Sequence, residues 1–169
     1  MSKKVINVAL LGLGTVGTGV YKVLKMQQDD MEDKIGARAE IKKILVRNLK
    51  KAAAKIEEPE LLTNDWKEIL EDDSIEIVIE VMGGIEPAKT YMLEALKAGK
   101  HVVTANKDLV ASYGQEVLDC AAANNRDFLF EAAVAGGIPI IRPLKQCLAG
   151  NHLSEVVGIV NGIARRDFS

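Results

Sequence analysis

Val5-Ile6-Asn7-Val8-Ala9-Leu10-Leu11-Gly12-Leu13-Gly14-Thr15-Val16-Gly17-Thr18-Gly19 decides the fold. Val5 to Leu11 is a short, mostly apolar run, the pattern of a strand buried on both faces. It ends at Gly12, after which Val16, Val20, Val23 and Leu24 fall on one helical stripe. A lone GxGxxG is a weak signal, but Gly12, Gly14 and Gly17 stand where a strand runs into a helix. Gly12 would permit the tight turn, Gly14 would admit a pyrophosphate close to the backbone, and Gly17 would let helix and sheet pack closely. Free N–H groups at the positive end of the helix dipole would hold the phosphates. The plainer alternative is a glycine-rich turn that binds nothing.

Downstream, strands and helices alternate. Gln27 to Gly36 reads as a solvated helix end plus loop, its acids Asp29 to Asp33 a wet surface. Strands are expected at Glu40–Val46, Leu61–Leu62, Ile75–Val81, His101–Thr104, Phe128–Glu131 and Leu153–Val160. Helices are expected at Lys50–Ile56, at Asp65–Glu71 with Thr63 or Asn64 as cap, from Pro87 to Gly99, and at Tyr113–Asn124. Another spans Ile138–Leu148, with a kink or late start at Pro143. This order predicts an α/β fold: a doubly wound parallel sheet with helices on both faces. Residues 1–150 would form the dinucleotide-binding domain and 151–169 the start of a second one.

The chain has 169 residues, enough for one domain with a real core. It is 48% apolar and 27% charged, and 24 acids against 22 bases leave a net charge of −2. That balance speaks against a basic nucleic-acid binder or a disordered acidic tail. No apolar run reaches the ~18 residues of a membrane span. Cys120 and Cys147, without CxxC spacing, point to reduced thiols in a cytoplasmic protein.

Three further places carry chemistry. After the second strand, where an NAD-selective fold places an acid for the ribose 2′-hydroxyl, stands Val46-Arg47-Asn48, with Lys50 and Lys51 beyond. A guanidinium grips a 2′-phosphate bidentately, so Arg47 predicts a preference for NADP(H) over NAD(H); a solvated basic turn is the alternative. Lys107 follows the strand ending at Thr104, on the side of the sheet where ligands bind. It could polarise a substrate oxygen or pass protons, or simply be solvated, and Asn106 could cap the next helix. Gly83 and Gly84 suggest a close backbone approach to the cofactor. Glu131, closing an apolar strand before a second glycine turn, needs a partner: a backbone cap, a hard cation or a water. His101 and His152 read as structural or exposed.

Taken together, GLGTVGTG, VMGG, TANKDLVA and EAAVAGGIPII, in this order and spacing, resemble the nucleotide-binding part of homoserine dehydrogenases over residues 4–162. The resemblance implies reversible reduction of L-aspartate 4-semialdehyde to L-homoserine with NAD(P)H, on the route to threonine, methionine and isoleucine. It places Leu13, Thr15 and Val16 at the cofactor phosphates, Arg47 near the adenosine ribose, and Thr104 and Lys107 near nicotinamide and substrate. It also implies a Na+ site made of Glu131 and the backbone oxygens of Val134, Gly136 and Ile138, and a homodimer in the complete enzyme. The family continues with NGTTNY and a long substrate and dimerisation segment. Here Asn161-Gly162 is followed by Ile163-Ala164-Arg165-Arg166-Asp167-Phe168-Ser169. The departure implies a cofactor-binding fragment with little activity alone and an exposed apolar patch around Val156–Val160. Two rivals are a stand-alone NADP(H)-binding regulatory module and another dehydrogenase of similar layout. The first has no need of TANK or EAAVAGGIPII.

Overall fold

The first strand, β1 (Lys4–Leu11), sits in the middle of a sheet and feeds both faces. Leu10 points to one layer, with Ile41, Ile44, Tyr21 and Ala52. Ala9 and Leu11 point to the other, with Val78, Met92, Leu96, Val102, Leu109 and Val117. Period-two alternation across the wholly apolar second half of this strand, Val8–Leu11, requires a covered layer on each side.

The computed structural model describes residues 4–152 and 154–156. After β1 come α1 (Thr15–Met26), α2 (Gln28–Ile35), β2 (Ala37–Leu45), α3 (Leu49–Ala53), β3 (Leu62–Thr63) and α4 (Lys67–Leu70). They are followed by β4 (Ile75–Glu80), α5 (Ala88–Lys97), β5 (His101–Thr104), α6 (Lys107–Ala123) and β6 (Phe128–Leu129). The six strands are all parallel in the order β3-β2-β1-β4-β5-β6. The chain winds outward from β1 to β3, returns to β4 beside β1, and winds outward the other way. The junction of β1 and β4 is therefore the switch point of a doubly wound sheet, where a crevice opens beyond the strands' carboxyl ends.

Several elements differ from the expected ones. Gln28–Ile35 is helical because Arg38 clamps it, donating to Glu32 at 2.7 Å and Asp29 at 3.0 Å, and because Gly36 caps it in the left-handed region. On α1 the inward face holds Gly17 and Tyr21, while Val16 and Val23 are exposed. The glycine makes the closest approach to the sheet and so centres that face on itself. Helix α6 starts at Lys107, six residues before Tyr113, since the Asn106 side chain accepts from Leu109 N at 3.2 Å and buries Leu109 beneath it. Helix α4 is shorter than expected; Thr63 Oγ1 accepts from Asp65 N, and Asp65 in turn from Lys67 N.

Strand β6 stops at Leu129, so Glu131 opens a 3₁₀ turn (Glu131–Ala133) rather than closing a strand. The helix expected over Ile138–Leu148 is largely a π-helical turn at Pro143–Cys147, starting late where the proline dictates. Of the strand expected at Leu153–Val160, residues 154–156 belong to no regular element and Val156 is exposed; the remainder, with the tail 161–169, lies outside the described residues. Cys120 and Cys147 are free thiols. Among the described residues no helix is long and apolar enough to cross a membrane.

Candidate functional site

The loop after β1 turns at Gly12, whose φ of +101° disfavours a side chain. A Cβ there would also press on the Met82 Cα and the Val81 carbonyl, both 3.1 Å away. Gly17 is tighter, because a Cβ at that position would sit 2.1 Å from the Gly12 carbonyl oxygen. Helix α1 therefore packs directly on the turn that precedes it. Gly14, the residue before the helix, has open space where its Cβ would be, and α1 begins without a side-chain cap or an acidic residue in its first turn. Its first N–H groups thus retain the capacity to bind an anion, with the helix dipole adding to the attraction.

Beside this turn lies a cleft of about 360 Å³. Gly12, Leu13 and Gly14 form one wall, Val46, Arg47 and Asn48 another, and Val81, Met82, Pro87 and Tyr91 close it from the β4 side. Lys51 and Lys55 stand on the α3 side, and Lys55 Nζ donates to the Leu13 carbonyl at 2.8 Å, tying α3 to the glycine turn. Asn48 caps α3 by accepting from Lys51 N at 2.9 Å, which aims this basic edge at the cleft. A shallower depression over Gly14, Thr15 and Thr18 adds Lys22 and meets the same Lys55. Of the expected phosphate contacts, Leu13 shares the cleft with Arg47, Thr15 lines the second depression, and the exposed Val16 lines neither. Lys55 escaped the sequence reading, although its spacing of four from Lys51 placed both on one side of a helical turn.

The second expected group lies one strand over. Gly83 and Gly84 have φ of +76° and +75° and lead from β4 into α5. Thr104 closes β5 and is 1% exposed, so its hydroxyl faces inward. Thr104 Oγ1 donates to Glu80 Oε2 at 2.6 Å and accepts from Asn106 N at 3.0 Å. Thr104, expected near nicotinamide and substrate, lies at the carboxyl end of β5 with its hydroxyl spent within the protein. Lys107 is exposed at the first position of α6, at the same carboxyl edge. Glu80, fully buried, is not singled out by the sequence reading; a carboxylate closing a largely apolar strand was the available signal.

Glu131 has the backbone partners that its position demanded. Its carboxylate accepts from Ile141 N and Arg142 N, each at 2.8 Å, and from Ile140 N. Partial desolvation pulls its pKa upward, but these donors, with the Arg142 charge, outweigh it and hold the carboxyl below its ordinary value. Oε2 receives one N–H only, which leaves it a lone pair for a hard cation alongside carbonyls of the same turn. That turn carries left-handed residues at Ala135 (φ +56°) and Gly136 (φ +62°). Among the described residues no three His, Cys, Asp or Glu side chains gather into a metal cluster.

Comparison with known proteins places this geometry. Residues 12–131 match the family model described as homoserine dehydrogenase, NAD binding domain. The homoserine dehydrogenase of Bacillus subtilis is 47% identical over 159 residues, covering 94% of this chain and 37% of that protein. A crystal structure of a homoserine dehydrogenase from Thiobacillus denitrificans superposes with a TM-score of 0.81 at 46% identity, over 88% of this chain and 34% of that one. A hyperthermophilic archaeal homoserine dehydrogenase in complex with NADPH superposes with a TM-score of 0.72 at 26% identity, over 86% of this chain and 50% of that one. The chain spans about a third of the length of the bacterial relatives it matches. A doubly wound parallel sheet, a glycine turn at its switch point and a family match over most of the sequence together assign the chain to the homoserine dehydrogenase family, as its NAD-binding domain.

Proposed function

We propose that the chain is the dinucleotide-binding part of an NAD(P)H-dependent oxidoreductase that interconverts L-aspartate 4-semialdehyde and L-homoserine, with NADP(H) preferred. Residues 1–150 form the cofactor domain, residues 151–169 begin the substrate and dimerisation domain, and the complete enzyme is a cytoplasmic homodimer. The observation that carries the reading is the basic crevice joining Gly12–Gly14 to Arg47 at the switch point. A diphosphate there would be held by the uncapped N-terminus of α1, around Leu13, Thr15 and Val16. Arg47, with Lys51 across the same cleft, would hold the 2′-phosphate, the charged group that NAD(H) lacks.

When bound, the reduced nicotinamide supplies the hydride. Gly83 gives the backbone a close approach on the β4 side, and Lys107 presents an ammonium at the β5 edge that can polarise the substrate carbonyl oxygen. Glu131 with the carbonyls of Val134, Gly136 and Ile138 would hold Na+, bracing the turn that follows β6. The NADPH complex of the archaeal relative supports the choice of nucleotide class.

The test is calorimetric titration of the chain with NADPH and NADH. Wild type should bind NADPH more tightly, and Arg47→Asp should weaken NADPH by about 30- to 100-fold while changing NADH by less than about threefold. Equal weakening of both nucleotides would remove Arg47 from the 2′-phosphate, and binding of neither would remove the nucleotide reading.

A further inference from the structure

Glu80 is a carboxylate with no exposed surface at the carboxyl end of a central strand. Leaving such a group without partners costs several kcal/mol, so its hydrogen bonds are its reason for being tolerated. Oε1 accepts from Met82 N at 2.8 Å and from Gly83 N at 3.3 Å, within the loop that follows its own strand. Oε2 accepts from Thr104 Oγ1 at 2.6 Å, on the neighbouring strand. Thr104 Oγ1 accepts in turn from Asn106 N, and Asn106 Nδ2 donates to the Gly84 carbonyl at 2.6 Å. The circuit closes: two loops from adjacent strands are stitched through one carboxylate, one hydroxyl and one amide.

Both loops belong to the β4–β6 half, whereas the glycine turn and Arg47 belong to the β1–β3 half. In a doubly wound dinucleotide site each half serves one mononucleotide. Gly83 and Gly84 adopt positive φ, and the loop they form is tied down by the Met82 and Gly83 N–H bonds to Glu80 and by the Asn106 bond to the Gly84 carbonyl. Resting on the nucleotide reading above, we infer that Glu80 is a positioning residue. Through Thr104 and Asn106 it sets the Met82–Gly84 and Ala105–Lys107 loops for the nicotinamide half of the cofactor and leaves the adenosine half alone.

The prediction is a split between two ligands. Adenosine 2′,5′-bisphosphate reports the β1–β3 half only, and NADPH reports both. In Glu80→Gln one of the two acceptor oxygens becomes an NH2 donor, so either the Met82 and Gly83 N–H groups or the Thr104 hydroxyl proton loses its acceptor. Asn106→Ser retains a side-chain oxygen to cap α6 but lacks the amide that reaches Gly84. Both variants should weaken NADPH about tenfold or more and abolish the change in nicotinamide emission on binding. Both should leave adenosine 2′,5′-bisphosphate within about twofold of wild type, and Thr104→Ser, which keeps the hydroxyl, should match wild type for both ligands. Should Glu80→Gln fail to fold by circular dichroism, Asn106→Ser decides alone. Parallel weakening of both ligands, or of neither, overturns the positioning role with the nucleotide reading intact. A wild-type chain that binds neither ligand overturns that reading and this inference together.

Discussion

The two rims of the same sheet are built to opposite ends. At the carboxyl rim, the β1 and β4 loops carry glycines in left-handed conformations, an uncapped helix start and a row of cations around an open crevice. At the amino rim several polar groups pair with one another instead. Lys100, only 2% exposed, donates to the carbonyls of Asp72 and Ile75 at 2.7 and 3.1 Å. Asn7 Nδ2 donates to Ser74 O, Lys42 pairs with Asp72 at 2.7 Å, and Arg126 donates to Gly99 O. His101 pairs with Asp127, the structural role its sequence position suggested. Strand direction explains the division, since in parallel sheets helix N-termini and ligand crevices gather at the carboxyl ends. The other rim is left to hold the layers together, so variants there should move stability and spare binding.

The largest effect should come where the functional rim is also structural. Gly17→Ala drives a Cβ into the Gly12 carbonyl, a backbone atom that cannot swing aside. It should cost about 3 kcal/mol or more in denaturant unfolding and remove measurable nucleotide binding with it. Retained stability would show that α1 can slide off the turn, and would break the claim that packing there is fixed. Next, Lys100→Ala removes a buried ammonium that two carbonyls rely on. Burial pushes the pKa of this lysine down, against the pull of Asp72 and Asp73, yet its loss still opens a cavity and orphans both acceptors. We expect a loss of about 2–3 kcal/mol in urea unfolding, with NADPH affinity of the folded protein within about twofold of wild type. A large change in affinity would mean that the rims are coupled.

The carboxyl rim was the more legible of the two. Gly12, Gly14 and Gly17 announce a turn because only that residue type tolerates the φ and the contacts found there. Arg47 stands where strand direction delivers the end of β2. The doubly wound parallel sheet followed from the alternation of apolar runs and helical stripes, since local periodicity survives in the sequence. Glu80 and Lys55 were missed for a different reason. Their roles depend on neighbours 24 and 42 residues away, at Thr104 and Leu13. Lys100 likewise meets Asp72 across 28 residues. Helix α2 was lost to a strongly polar composition that the Arg38 clamp, six and nine residues from its partners, and the Gly36 cap override. Glu131 was recognised as needing a partner, but which of backbone, cation or water it met depended on the fold of residues 140–142.

Gly14→Ala sharpens the contrast with Gly17 within a single loop. Its φ of −79° suits any residue and nothing lies within 4 Å of the added Cβ. Stability should hold or rise by up to about 1 kcal/mol, because the unfolded chain loses freedom. NADPH binding should fall about tenfold, since the methyl occupies the approach of the pyrophosphate. Thermal unfolding and titration of one preparation give both numbers. Unchanged affinity would place the phosphates elsewhere on the crevice.

The smallest effect lies at the amino rim and is set by pH. Asp72 accepts from the Lys42 ammonium and from the Ser74 hydroxyl and N–H, and these, led by Lys42, outweigh partial burial and bring its carboxyl down to about 2 from an ordinary 3.8. A carboxyl whose folded pKa lies below its unfolded one adds stability that is fully present above the unfolded value and is lost as pH falls through the folded one. The Lys42–Asp72 contribution should therefore be constant from about pH 5 to 7 and fade between about pH 4 and 2. Because the Lys42 side chain is 41% exposed, screening reduces it to about 1 kcal/mol. Asp72→Asn keeps an oxygen for Ser74 and loses the charge. The variant should be less stable than wild type by that amount at pH 7, converge with it near pH 2, and narrow the gap in 1 M salt. A gap that persists unchanged at pH 2 would show that it does not come from the Lys42–Asp72 charge pair, and NADPH affinity at pH 7 should be the same for both proteins.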